Sequence, residues 1–400
     1  MTRMTRRVFA LTALAAAMTG PAAFAQGQGT IKIGLLTIDS GPFATYTELI
    51  KQAATTGVEM LNAEGGALGR KFEVVVQAHS GTPAAAVAAA TKLAQQGGVT
   101  VIMGQTLSSH SLALVPKLDG LNVLQIDTYA QSNDLMTKSC APNYFRANTP
   151  DSVVTAAMKQ YVAQSGAKTW NLISPDYAAG HSFTKQFTEM VQAMGGTVQQ
   201  ALFAPTGTTD FGSYISQLSK PADGLVVTLY MSDGNSFAKQ QKQFGLFDKY
   251  KTVIGNGFAT DFQLEAQGDS VLNVVNNLSY HYTIPGARNA EYVKFFEQRV
   301  KRKPIYTDAD IMLAMEVFRA AVIKAKSSEV PAVRKALEGL KTNTIFGEVE
   351  MRAADHTLIR PAGMAKVVMA PDGKSTTFTM RTLLPGSELY PPPSPECKVQ

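Results

Sequence analysis

Strand-length apolar runs alternate with helix-length stretches along this chain, and the alternation runs through twice. The first pass reads "TIKIGLLTI" as a strand and "TYTELIKQAATTGVEMLNAE" as a helix stopping at Gly65 and Gly66. It continues with "KFEVVVQAH" as a strand and "TPAAAVAAATKLAQQ" as a helix with Pro83 in its first turn, then "VTVIMG" and "VLQID" as further strands. After "YFRANTP" the rhythm restarts, with "TWNLISP", "TVQQALFA", "GLVVTLY" and "YKTVIGN" as strands separated by helical segments. Such βαβα order implies parallel sheets covered by helices on both faces with right-handed crossovers. The expected fold is therefore α/β, with two doubly wound parallel-sheet lobes. At 400 residues, 45% hydrophobic and 17% charged, the chain has core material for two such bodies. Two further helices, "AEYVKFFEQRVKRK" and "DADIMLAMEVFRAAVIKAK", then a strand-rich end with "GEVEMR" and "GMAKVVMA", suggest a chain that returns to complete its first lobe.

The N-terminus has the pattern of an export signal. Arg3, Arg6 and Arg7 precede the apolar run "VFALTALAAAM", and "AFA" offers a small-x-small cleavage site near Ala25. The paired arginines of "TRRVFA" leave Sec and twin-arginine export both open. No later run reaches the roughly 18 apolar residues of a membrane span, so the mature protein is expected to be soluble and periplasmic. Loss of three arginines would lower the net charge from +6 to +3, too mild and dispersed to indicate nucleic acid. Export favours one disulfide between the two cysteines, Cys140 and Cys397. The five histidines are scattered without ligand spacing, so neither a metal nor a cofactor is expected.

The segment "GQTLSSHS" raises the question of chemistry because Ser109 adjoins His110. If it opens a helix, adjacent side chains point about 100° apart and cannot act on one another as nucleophile and base. There is no G-x-S-x-G elbow, so an enzyme is not expected. "GNGFAT" and "PDGKS" both lack the glycines of a phosphate loop. In an open α/β sheet, ligands bind beyond the carboxyl ends of the strands. That rule collects "SGPFATY", "GQTLSS", "DTYAQS", "PDYAAGHS", "YMSDGNS" and "NGFATD" into one candidate site, with Ser108 and Ser109 at a helix start suited to a carboxylate.

Taken in order, "IKIGLLTIDSGPFATYTELIKQAATTGVEMLNAEGGALGRKFEVVVQ", "GTPAAAVAAATKLA", "GQTLSS", "PDYAAG", "GTTDF" and "FGEVEMRAADH" resemble the type I periplasmic binding proteins of the branched-chain amino acid transport family. The resemblance spans the mature chain. It implies two lobes joined by a three-segment hinge, which places a signal peptide at 1–25, lobe 1 at 30–147 plus 283–342, lobe 2 at 148–282 plus 343–385 and a tail at 386–400. It also implies a monomer that traps a small ligand between its lobes and delivers it to the membrane permease of an ABC importer. A periplasmic sensor for a membrane signalling partner would share fold and site. Carried over by residue, the resemblance puts Ser108 at the ligand carboxylate with Ser109 beside it. Tyr129 and Gln131 fall on a second first-lobe loop, Tyr46 on an aromatic wall and Tyr230 on a second-lobe lid; for both Tyr46 and Tyr230 ordinary packing is the alternative. Tyr177 is read as structural, and Asp308 and Asp310 as helix caps.

Two departures reshape that site. Amino-acid-binding members supply an acid to the ligand ammonium from the loop after "TVIG", where this chain has Asn256 and Gly257. The second loop reads "IDTYAQ", in which Asp127 could replace the missing acid, bond a ligand hydroxyl or cap local backbone. An ammonium without a carboxylate loses what offsets its desolvation, so an aromatic acid becomes a candidate beside an amino acid.

Overall fold

The computed structural model describes residues 29–399. The expected signal peptide lies outside them. The chain forms two sheets. In the first, strands β1 (Ile31–Ile38), β2 (Phe72–His79), β3 (Val101–Met103), β4 (Leu124–Asp127) and β5 (Tyr144–Arg146) run parallel in the order β5-β4-β3-β1-β2. In the second, β6 (Thr169–Pro175), β7 (Thr197–Ala204), β8 (Gly224–Val227), β9 (Thr252–Gly255) and β10 (Val275–Leu278) run parallel in the order β10-β9-β8-β6-β7. Five further strands follow: β11 (Lys341–Thr344), β12 (Gly347–Arg352), β13 (Thr357–Ile359), β14 (Ala362–Met369) and β15 (Thr376–Leu384).

The inner strands of each sheet are buried on both faces, which is why they are apolar runs rather than alternating ones, whereas the edge strands β2 and β7 are partly exposed. Ile33 and Leu35 of β1 pack in one cluster with Met312 and Met315 of the helix Tyr306–Ala325. Leu36 points to the opposite face, among Ala90, Leu93 and Ile102. The second sheet repeats the scheme, with Ile173 and Val227 on one side and Leu172 and Val226 on the other.

The C-terminal strands correct the expected lobe boundary at 342/343. β11 and β12 are an antiparallel hairpin joined only through Ile345 and Phe346, too short a link to reach a second sheet, and β12 pairs with β13, which pairs with β5. All three therefore extend the first sheet, and the chain passes to the second at Arg360, where β14 joins β10 antiparallel. The other two passages leave β5 at Ala147 and β10 at Ser279. Cys140 and Cys397 are disulfide-bonded, with Cα atoms 5.5 Å apart. Among the described residues, no helix is long and apolar enough to cross a membrane.

Candidate binding cleft

The carboxyl ends of both parallel sheets face one cleft. Ser108, at the start of the seven-residue helix Ser108–Leu114, lines it and is 1% exposed. Its Oγ accepts from the backbone N–H groups of Gln131 and Ser132, each at 3.1 Å. With both acceptor positions used, the hydroxyl proton is left to donate elsewhere. The first bonds of that helix run from His110 N and Ser111 N to Leu107 O, so the preceding N–H groups have no intrahelical acceptor.

Sequence neighbours of Ser108 have other tasks. Ser109 does not line the cleft. His110 is buried, its Nε2 2.9 Å from Gly81 O and its ring edge-on to His79, and burial pushes it down to about 4. A neutral imidazole facing away from the cleft does no acid–base work there.

Tyr46 and Tyr129 line the same wall with ring centroids 5.3 Å apart. Tyr46 donates to the Tyr306 hydroxyl at 3.2 Å, and Tyr129 donates to Thr307 O at 2.8 Å. Burial raises Tyr46, Tyr129 and Tyr306, keeping them neutral. The Tyr306 proton is thus free for a ligand. Gln131 also lines the cleft.

Asp127 does not. It is fully buried, accepting from Ser111 Oγ at 2.6 Å, Gln125 Nε2 at 3.2 Å, Tyr144 OH at 3.0 Å and the N–H groups of Tyr129 and Ala130. Burial raises this carboxyl above its ordinary value, against the opposing pull of Arg146 and of the bonds from Ser111, Ala130 and Tyr129. Of the readings open for Asp127, local backbone capping is the one its bonds match: it shapes the loop that carries Tyr129 and Gln131.

The second-lobe wall is aromatic. Tyr230 and Tyr177, the latter read from the sequence as structural, both line the cleft, ring centroids 6.4 Å apart. The Tyr230 ring lies against Gly257, which has φ +63; a Cβ there would be strained and would collide with the ring. Asn256 is buried and does not line the cleft; its backbone N–H bonds Val227 O and its side-chain atoms have no partner among the described residues. Beneath both walls lie Asn148, Thr149, Ser279 and Asp310. Asp308 behaves as expected of a cap, accepting from Ile305 N at 2.8 Å, but Asp310 lines the cleft and is paired with Arg360 at 2.6 Å. It is the single carboxylate among the described cleft-lining residues, and no Lys, Arg or His joins it. Tyr306 was not singled out in the sequence and Asp310 was read only as a cap, because both stand at the start of a long helix far from the loops, where the rule of strand carboxyl ends does not reach.

A family model described as "Periplasmic binding protein" matches residues 30–374. The chain is 26% identical over 356 residues to a Leu/Ile/Val-binding protein of Rhizobium johnstonii, covering 86% of this chain and 93% of that one. Two solved structures share its fold. One is a solute-binding protein of an ABC transporter from Rhodopseudomonas palustris in complex with 3,4-dihydroxybenzoic acid (TM-score 0.80, 22% identity, 89% of this chain and 98% of that one). The other is the leucine-, isoleucine-, valine-, threonine- and alanine-binding protein from Brucella ovis (TM-score 0.82, 18% identity, 93% and 99%).

Proposed function

Because the chain belongs to the periplasmic binding protein family, as a type I member related to the branched-chain amino acid binding proteins, we propose that its cleft captures a small arylcarboxylate and delivers it to the permease of an ABC importer. Proteins of this family bind solutes rather than transform them, and this chain is not an enzyme. The observation that carries the ligand class is the Tyr230 ring lying on Gly257, the place where amino-acid binders would present an acid. Asp310, the one carboxylate among the described residues that line the cleft, is already paired with Arg360. Among the described residues that line the cleft, an ammonium would find no carboxylate that is not already paired to offset its desolvation. A carboxylate finds neutral donors instead: the Ser108 hydroxyl, the Tyr306 hydroxyl and N–H groups at a helix start. Tyrosine faces suit a flat ring. The R. palustris relative bound to 3,4-dihydroxybenzoic acid supports the class. In this reading the N-terminal segment directs export and is removed near Ala25, and the mature protein works as a periplasmic monomer.

Thermal-shift and calorimetric titration with benzoate, 3,4-dihydroxybenzoate, leucine and phenylalanine test it. Arylcarboxylates should bind more tightly than both amino acids, and a ligand at 100 times its dissociation constant should stabilise by about 2.7 kcal/mol. Tight leucine binding with no response to arylcarboxylates would overturn it.

A further inference from the structure

All three chain passages between the lobes meet at one side chain. Arg360 stands on the third passage, between β13 and β14, and is 1% exposed. Its Nη1 donates to Asp310 Oδ1 at 2.6 Å and reaches Ala147 O, the first residue after β5, at 3.4 Å. Its Nη2 reaches Ser279 O, the first residue after β10, at 3.4 Å. The guanidinium lies 4.2 Å over the Phe346 ring in the turn of the β11–β12 hairpin. One planar fork thus touches the first passage, the second passage and the first-lobe sheet while itself belonging to the third. A lysine could hold the charge but not this geometry, since its single ammonium has no fixed fork of donors.

Asp310 is what connects this knot to the cleft. Its carboxylate lines the cleft while Oδ1 is held by Arg360. An ionised carboxylate only accepts hydrogen bonds, so the cleft group it can engage must be a donor. The geometry points to Arg360 and Asp310 as a positioning pair: Arg360 sets the relative arrangement of the three passages, and Asp310 makes that arrangement respond to a hydroxyl donor on the ligand. The second half of this inference rests on the arylcarboxylate reading of the cleft; the first half does not.

The pair can be separated by Arg360→Met, Arg360→Lys and Asp310→Asn in the full mature protein. Without ligand, small-angle scattering of Arg360→Lys should show a larger radius of gyration than the parent, and its melting curve should broaden or split as the lobes uncouple. Arg360→Met should do the same more strongly; if it does not fold, Arg360→Lys carries the test, because it keeps a charge opposite Asp310. An Arg360→Lys protein with parental scattering and a parental single melt overturns the hinge role. For Asp310→Asn, affinity for 3,4-dihydroxybenzoate should fall about tenfold more than that for benzoate, which lacks a hydroxyl donor. Equal losses for the two probes would overturn the hydroxyl contact. If neither probe binds the parent, the arylcarboxylate reading and the hydroxyl contact fail together, and ligand-free Arg360→Lys still decides the hinge role.

Discussion

The two walls of the cleft are built differently. On the first-lobe side polar groups are held in place: Ser108 is fixed by two backbone N–H groups, Tyr46 and Tyr129 each spend their proton on a named acceptor, and Asp127 clamps the loop behind them. On the second-lobe side the recognition surface is ring area, Tyr177 and Tyr230, and the Tyr230 hydroxyl, Thr228 Oγ1 and both polar atoms of the Asn256 side chain lack partners among the described residues. The first wall supplies direction through the Ser108 and Tyr306 hydroxyls, whose positions are fixed by the bonds they accept, so they lose little freedom when a ligand arrives. The second supplies apolar cover. In the loop after β9, the Tyr230 ring lies against Gly257.

The sharpest way to break this contrast is Ser108→Ala. It removes a donor to the ligand carboxylate and also the acceptor for two backbone N–H groups, so binding of 3,4-dihydroxybenzoate should weaken by about 1.5 to 3 kcal/mol, read by calorimetry. Ser109→Ala should change that affinity little, and a loss equal to that of Ser108→Ala would move the seat. Next in size is Asp127→Asn, which strikes the support rather than the surface. Chemical denaturation should show a loss of about 1 to 3 kcal/mol from the buried network, with the order of ligand preference kept; an altered preference for amines would make Asp127 a ligand contact after all. On the opposite wall, Tyr230→Ala should cost arylcarboxylates about 0.5 to 1.5 kcal/mol through lost ring contact, whereas Tyr230→Phe should stay near the parent. A larger effect of Tyr230→Phe would mean that the hydroxyl, not the ring, does the recognition.

The smallest effect is expected from Cys397→Ser, which touches neither wall. The tail packs Leu389 against Val153 and Ala157 of the second lobe, and Arg352 of the first lobe donates to Pro391 O at 2.8 Å before the disulfide fastens Cys397 to Cys140. Limited proteolysis should then cut the released tail faster, while affinity stays within about threefold because a tail held at several points gains little from one link. A greater loss of affinity would mean that the tail helps set the balance between open and closed lobes.

Much of this was legible along the chain. Parallel strands buried on both faces leave apolar runs, and connections that are helices leave a second period between them; both are local signals, so the two doubly wound lobes could be read before any contact was known. The loops at the carboxyl ends of those strands could be named for the same reason, and Ser108, Tyr46, Tyr129, Gln131 and Tyr230 all line the cleft. What could not be read depends on partners distant in sequence. Whether a strand such as β12 serves the first or the second sheet is settled by its pairing with β11 and β13, which leaves no mark on its own composition. Asp127 and Asp310 are the same residue type, each near polar neighbours, yet one is consumed by five hydrogen bonds in the interior and the other meets both the cleft and Arg360, 50 residues away. A carboxylate's role is set by which donors reach its oxygens and whether solvent or ligand does too, and those are properties of three-dimensional assembly. The order of strands and helices, by contrast, follows from hydrophobic spacing along the chain, which the sequence carries in full.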